Sequence, residues 1–479
     1  MNAEKILGWG IKGIENNSIA KALRQEEGHS IVELKNGKVL YFLEKTRQLS
    51  PEEALLLRNV VSEFQSSKNE PKETELYNAL KQHCIKNVVE LSREQRNLLL
   101  ELFSRQVFGF GVLSFLIEDE EIEEISVIGT GNEKPVFVFH RAFGWLETNM
   151  FFSSETEVRD VVNKMARKLE RRLTMHTPRI NAVLPNGSRL HAAIFPISFL
   201  GPSITIRKFF KNPFTPAQLV QKKTISLEAA AFLWLAMEVE CSLLVAGNTG
   251  SGKTSTLNSL FSFVPKQERI IGVEETPEIV LPHKHLVKLS VVENLGIGMQ
   301  ELINDTLRMR PDRVIVGEVR TSGEAKAFIQ TLLAGQGKGS YATFHAQSAA
   351  ECITRLKKLG VMETDLNALD LIVVQKRWTR IDSERNTFME QRRITEIVEL
   401  EKAGNAVEFN TLFGFDYKKD CLRKTGESKR VMEKAENAFS KNKKGIEKEI
   451  IKKEQRLREL KARDLDFSSF FLEIQGVRQ

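Results

Sequence analysis

Residues 242–263 read SLLVAGNTGSGKTSTLNSLFSF, and this stretch decides the fold. An apolar run from Ser242 to Ala246 leads into Gly247-Asn248-Thr249-Gly250-Ser251-Gly252-Lys253-Thr254, which satisfies GxxxxGK[ST] in full. A helical stretch beginning at Ser255 follows. Strand, glycine loop and helix together give the motif its physical meaning. Glycines let backbone N–H groups turn inward around a phosphate with no Cβ in the way. The N-terminus of the next helix adds its dipole. Lys253 supplies a point charge to the β and γ phosphates, and the Thr254 hydroxyl reaches Mg²⁺. A solvated loop lysine would leave three glycines in six positions, between a buried strand and a helix, without a use. The expected ligands are ATP and Mg²⁺. The expected nucleotide-binding residues run from Gly247 through Thr254 to Ser255.

The loop sits in a longer pattern. From Ile225 to about Leu400, short apolar strands alternate with longer helical stretches: SLLVAG, RIIGVEE, HLVKLS, RVIVGE and GSYATF. That alternation predicts a parallel sheet with crossover helices. In such a sheet the strand C-terminal ends converge on one edge, where ligands bind. Hydrolysis needs a second metal contact and a group that positions water. Glu318 ends the strand from Arg313 to Val316 and is the candidate second Mg²⁺ contact, through water. Glu274 ends the strand from Arg269 and is the candidate for orienting or activating the water, with Glu275 beside it. His345 ends a third strand and reads either as a γ-phosphate sensor or as a structural histidine. Arg308, Arg310, Arg313 and Arg320 cluster around the second strand. One guanidinium can stabilise transition-state charge, often across a subunit boundary. Arg308 and Arg320 are the candidates, against salt bridges to local acids such as Asp312.

Upstream, IVELKNGKVLYF carries Asn36-Gly37 between apolar runs, a hairpin signal. Ser50-Pro51-Glu52-Glu53 and Ser92 with Gln95 open helices with capping boxes. Between Phe110 and Phe210, VFVFHRAFGWLE reads as a strand pair, Glu155 to Leu173 has helical spacing, and Asn186-Gly187 separates two more strands. This is α+β. The segment 211–224, with Pro213 and Pro216, reads as a linker. The resulting division is a mixed module at 1–106, an α+β domain at 107–210, a linker at 211–224, the phosphate-loop domain at 225–415 and a charged helical region at 416–479.

Composition sets the limits. The chain has 479 residues, 41% hydrophobic and 28% charged, which excludes collagen-like, disulfide-scaffold and wholly disordered classes. Cys84, Cys241, Cys352 and Cys421 form no CxxC pair, so a cysteine zinc site is not expected and reduced, buried thiols are. The most apolar stretch, Ala229 to Met237, stops at Glu238, short of the ~20 residues a bilayer span requires. With no signal peptide visible, a cytoplasmic location is expected. Charge is uneven: Tyr417 to Asp464 holds 17 Lys/Arg against 9 Asp/Glu, a net +8, while the whole chain carries +7. That segment reads as a solvated helical face or as a contact for an acidic partner, lipid or nucleic acid.

In combination, GNTGSGKT (247–254), RIIGVEETPEIVL (269–281), LRMRPDRVIVGEVR (307–320) and GKGSYATFHA (337–346) resemble the Walker A, Asp box, Walker B and His box of the secretion-ATPase superfamily, in family order. Members power type II and type IV secretion, type IV pili and archaeal filaments. GFGVLSFLIEDEEIEEISV (109–127), Leu184 to Arg189 and Ile206 to Phe209 resemble the family's N-domain. RRITEIVEL (392–400) and NTLFGFD (410–416) look most like its archaeal branch. The resemblance implies an α/β fold. It has a RecA-like P-loop NTPase domain with a parallel sheet, an α+β N-terminal domain before it and a charged helical tail after it. It also implies nucleotide contacts from Arg189 and Arg207 and a homo-oligomer in the form of a ring hexamer. The implied partner is a polytopic inner-membrane platform protein, with filament subunits or secreted cargo reached indirectly. The implied location is peripheral, at the inner face of the membrane. Three departures stand out: Glu275 where aspartate is common, Gln336 where a histidine is often found, and no tetracysteine insert.

The expected function is therefore an ATPase motor for filament assembly or export. The alternative is a nucleic-acid translocating ATPase using the basic tail, but no nucleic-acid-binding signature accompanies it, so nucleic acid is not the expected partner. A non-hydrolysing ATP-binding scaffold is disfavoured by intact Glu274, Glu318 and His345.

Overall fold

The computed structural model describes residues 7, 9–13, 18–26, 28–44, 49–67, 72–209, 212–292, 295–335, 337–382, 387–404 and 406–476. Gln336 lies outside the described residues. The chain divides into two units, residues 1–209 and 210–479.

The first unit is built on one sheet of ten strands: β1 (Trp9–Ile11), β2 (Ile19–Glu26), β3 (His29–Leu34), β4 (Val39–Leu43), β5 (Ile122–Ile128), β6 (Pro135–His140), β7 (Gly144–Phe152), β8 (Arg179–Val183), β9 (Arg189–Ala193) and β10 (Ser203–Arg207). The order is β2-β3-β4-β7-β6-β5-β10-β9-β8, with β1 also on β7. Asn36-Gly37 turns β3 into β4, and Asn186-Gly187 turns β8 into β9. The sequence division at 106/107 does not survive as two modules. Leu40 and Tyr41 of β4 pair in parallel with Glu147 and Thr148 of β7. Leu102 and Phe103 share one core with Ile125 and Val136.

The expected helix from Glu155 to Leu173 stops at Ala166. A tight turn over Arg167–Leu169 ends with Glu170 in the left-handed region, at φ 55°. Asn163 then holds the following segment, its Oδ1 accepting from the Leu173 N–H at 2.6 Å.

The second unit carries β11 (Leu243–Gly247), β12 (Ile270–Glu274), β13 (Leu286–Ser290), β14 (Arg313–Val319), β15 (Ser340–Phe344), β16 (Leu371–Asp382), β17 (Thr387–Ala403), β18 (Ala406–Asp416) and β19 (Cys421–Lys424). The order β13-β12-β14-β15-β11-β16 is parallel throughout, as the alternation predicted. Beyond it, β17, β18 and β19 continue the sheet antiparallel. Both faces are covered: Leu243, Val245 and Ile315 face one apolar core, and Leu244, Ala246 and Val316 the other. This is why the strands read as continuous apolar runs.

The segment 211–224 is more than a linker. Thr215 caps a helix over Pro216–Gln221 with a full capping box to Gln218, and Ala217 and Leu219 are buried in the second unit's core.

The basic C-terminal segment is also part of this unit. Helices at Arg430–Phe439, Lys443–Lys461 and Phe467–Gly476 bury Val431, Ile446, Leu457, Leu460, Phe470 and Ile474 in the core that holds Leu233 and Leu235. Their other faces carry most of the lysines, Lys453 being buried. Among the described residues no helix is long and apolar enough to cross a membrane. All four cysteines are free, and two of them, Cys84 and Cys421, are half-buried rather than buried.

Candidate functional site

The glycine loop is shaped by the strand beside it. Gly247 ends β11 opposite Gln375 of β16. A Cβ on Gly247 would come within 2.0 Å of the Gln375 carbonyl oxygen, so only glycine fits. Gly252 then takes a left-handed φ of 94° and opens the helix Lys253–Leu260. Asn248 fastens the loop to β16: its Nδ2 donates to the Arg377 carbonyl at 2.8 Å, and its Oδ1 accepts from the Arg377 N–H at 2.9 Å. Gln375 is buried; its Nε2 donates to the Ser251 carbonyl at 2.7 Å and its Oε1 accepts from the Thr256 hydroxyl at 2.5 Å. Lys253 is buried, and its Nζ lies 3.3 Å from the Gly247 carbonyl and 3.3 Å from that of Asn248. Thr249 is exposed and Ser255 half-buried.

The acids stand at the C-terminal ends of neighbouring strands. Glu274 ends β12 and is 2% exposed. Its Oε1 accepts from the N–H groups of Glu278 and Ile279, each at 2.7 Å. Burial pushes its carboxyl up to about 7, and those two N–H bonds oppose the shift without cancelling it. Gly317 on β14 makes room for it: a Cβ there would lie 3.2 Å from Glu274 Cγ.

The register of β14 on β15 shifts between Val316 and Val319. This bulge falls on Gly317-Glu318 and re-aims the acid. The Thr343 hydroxyl donates to the Gly317 carbonyl at 2.5 Å. Glu318 then meets an imidazole and a guanidinium. Its Oε1 lies 2.5 Å from His345 Nε2, and its Oε2 accepts from Arg320 Nε at 2.6 Å. Arg320 bridges on to Glu275, and the Arg355 guanidinium donates to the His345 carbonyl. Burial holds the His345 imidazole below its ordinary value; the Lys253 charge adds to this while Glu318 pulls the other way. Lys253, His345, Glu318 and Arg320 are therefore within electrostatic reach of one another, with Glu274 packed against the same bulge.

Arg308 is not brought into this cluster. Its guanidinium is 86% exposed and sits 3.6 Å from Asp305. Arg313, from the same sequence cluster, is fully buried and paired with Glu268 at 2.6 Å, a structural role. In the first unit Arg189 and Arg207 stand opposite each other across β9 and β10.

Three neighbours of the loop were not singled out from sequence. Glu278 accepts from the Thr254 hydroxyl at 3.0 Å. Its signal is a third carboxylate four residues after Glu274, in a Thr-Pro turn. Gln375 has a signal too, a lone amide in the apolar run LIVVQ. Arg377 has none: a Cβ on Gly250 would come within 2.4 Å of its guanidinium, a proximity set by strand register alone.

The donors around the loop are hydroxyl and carboxylate oxygens, from Thr254, Glu278 and Glu318. Among the described residues no group of three His, Cys, Asp or Glu side chains forms a metal cage. The oxygen donors would suit Mg²⁺, which takes one or two protein oxygens and completes its shell with phosphate and water.

The model of a family described as type II/IV secretion system protein matches residues 138–461. Uncharacterized protein MJ0781 of Methanocaldococcus jannaschii is 40% identical over 233 residues, covering 46% of this chain and 32% of that protein. Uncharacterized protein MJ0900 of the same organism is 34% identical over 298 residues, 60% of this chain and 53% of that protein. The chain thus spans about a third and about half of these relatives' lengths. Among solved structures, the VirB11 ATPase of the Brucella suis type IV secretion system, in complex with sulphate, aligns with 59% of this chain and 90% of its own at 25% identity, with a TM-score of 0.30.

Proposed function

The chain belongs to the type II/IV secretion system protein family, and from that premise we propose that it is an ATP hydrolase working as a ring-forming motor at the inner face of a membrane, driving filament assembly or protein export. The observation that supports hydrolysis, rather than nucleotide binding alone, is the contact of Glu318 with His345 beside Lys253.

In this reading the loop N–H groups and Lys253 hold the β and γ phosphates. Oxygens of Thr254 and Glu318, with Glu278 behind Thr254, would hold Mg²⁺, which would supply positive charge against the phosphates. Glu274 orients the attacking water. It is buried at the end of β12 and carries a raised proton affinity, both of which suit a group that takes a proton near neutral pH. His345 reads the γ-phosphate through Glu318. Arg320 supplies positive charge once it leaves Glu275. Arg308 is open to solvent and free to serve a neighbouring copy. Arg189 and Arg207 enter as nucleotide contacts through the family resemblance. The polytopic membrane platform protein and the hexameric ring enter the same way.

ATP turnover by the purified chain, compared with Lys253→Ala and Glu318→Gln, tests the reading. Loss of turnover in both variants supports it, and turnover that survives Lys253→Ala overturns it. Mass measured with and without ATP reads the ring.

A further inference from the structure

The first unit holds an open cavity of about 1080 Å³ that the motor reading does not use. Its wall carries Lys164, Arg167, Arg171, Arg172 and Arg179, and among the described residues that line it Glu170 is the only acid. Five cations against one anion in a concave site repel each other, so such an arrangement is stabilised by a counter-charge.

Several arginines on this protein's surface find carboxylates. Arg320, Arg423 and Arg463, all half-exposed, each pair with an acid. None of the four cavity arginines forms an ion pair with a described residue, and Glu170 does not pair either. The cluster is also held in place. Asn163 clasps the Leu173 backbone, the Thr177 hydroxyl donates to the Arg172 carbonyl at 2.8 Å, and Arg171 donates to the Asn181 carbonyl at 2.5 Å. Arg179 starts β8, opposite Ala193 of β9. The Arg171 bond spends one N–H of five and leaves the rest of the fork open. Guanidinium forks match phosphate oxygens, as they do carboxylate oxygens, in bidentate pairs, and several forks on one concave wall suit an anion that carries several charges. The volume suits a compact ligand rather than a single ion.

We propose that this cavity is a binding site for a compact anion bearing two or more phosphate groups, recognised by Arg167, Arg171, Arg172 and Arg179. Two sources present that chemistry: a free polyphosphate or nucleotide, and the headgroup of a polyphosphorylated lipid.

The test uses the full chain carrying Lys253→Ala, so that the glycine loop no longer dominates phosphate binding. Inorganic tripolyphosphate titrated into this protein binds saturably, below about 1 mM. Adding Arg171→Ala with Arg172→Ala weakens that binding at least about tenfold, and Arg171→Lys with Arg172→Lys restores part of it. Arg463→Ala, at a paired surface arginine, changes nothing. Arg171, Arg172 and Arg463 are exposed, so circular dichroism and melting unchanged from the Lys253→Ala protein confirm folded variants. Binding that disappears with Lys253→Ala alone, or that ignores the cavity variants, overturns the proposal. Vesicles of neutral lipid with and without a phosphoinositide distinguish the sources. Phosphoinositide-dependent capture lost in the cavity variants assigns the headgroup, and soluble binding without capture assigns the free anion. If neither probe binds, the proposal falls.

Discussion

Glu318 Oε1 lies 2.5 Å from His345 Nε2, an acid near the end of β14 joined to an imidazole just beyond β15. The β14 bulge creates this contact, and Arg320 on the other carboxylate oxygen fixes its direction. One carboxylate thus ties together two of the strands that frame the glycine loop. A change at either residue should be felt at the other.

Glu318→Gln and His345→Gln are each expected to lower kcat by about a hundredfold, with a smaller change in KM. The double variant should be little worse than either single one, because the two residues act as a unit. Burial holds His345 below its ordinary value, which favours the neutral imidazole. Glutamine, neutral and hydrogen-bonding, should therefore retain more activity than alanine at that position. Steady-state ATPase assays on the four proteins check this.

Glu274 gives a pH signature. Its folded value, about 7, lies above the ordinary carboxylate value of 4.5. As the base it must be ionised, so kcat/KM should fall as pH drops through about 7, and Glu274→Gln should remove both the activity and the pH step. The stability effect has the opposite sign. A carboxyl whose proton affinity rises on folding contributes stability below pH 4.5 that is lost as pH rises through 7. Glu274→Gln should therefore melt higher than the parent at pH 8, by up to about 3 kcal/mol, with the gap closing towards pH 4.5.

Much of this site was legible because it is written locally. A glycine loop between strand and helix, and acids at the ends of apolar runs, each occupy a few consecutive residues. Parallel packing then brings strand ends together by geometry. What stayed hidden depends on pairings distant in sequence. β4 joins β7 across about a hundred residues, and nothing near Leu40 signals Glu147, so residues 1–106 read as a separate module. Arg377 lies over Gly250 only because Gly247 registers with Gln375. The tail's place in the second unit was hidden for a related reason. Its net charge describes the outward lysines, while Leu457, Leu460, Phe470 and Ile474 decide where it sits.

Gln375 should behave as a positioning residue for the glycine loop. Its amide serves Ser251 and Thr256 together from a buried position, and Gln375→Leu leaves both without that partner. Each unmet buried group costs about 1–3 kcal/mol. The expected result is an ATP affinity at least about tenfold weaker, with kcat at saturating ATP reduced less. Equal losses in kcat and kcat/KM, with affinity intact, would contradict a positioning role.

Lys453 tests whether the C-terminal helices are an integral part of the second unit. Its ammonium lies 2.6 Å from Glu238 and 4.8 Å from the Trp234 ring, both on the helix Leu227–Glu238, with a side-chain exposure of 10%. Lys453→Ala leaves Glu238, 14% exposed, facing an apolar contact without its cation. Removing one partner of such a pair costs about 3–5 kcal/mol when fully buried, and somewhat less here, where some water reaches both groups. Lys452, one residue earlier, is 68% exposed beside Glu449, and Lys452→Ala should shift stability by under about 0.5 kcal/mol. The two variants remove the same charge from the same helix. A large drop in melting temperature for Lys453→Ala alone would locate the tail's role in packing. Equal, small shifts in both would mean that the helices contribute charge to the surface and little to the fold.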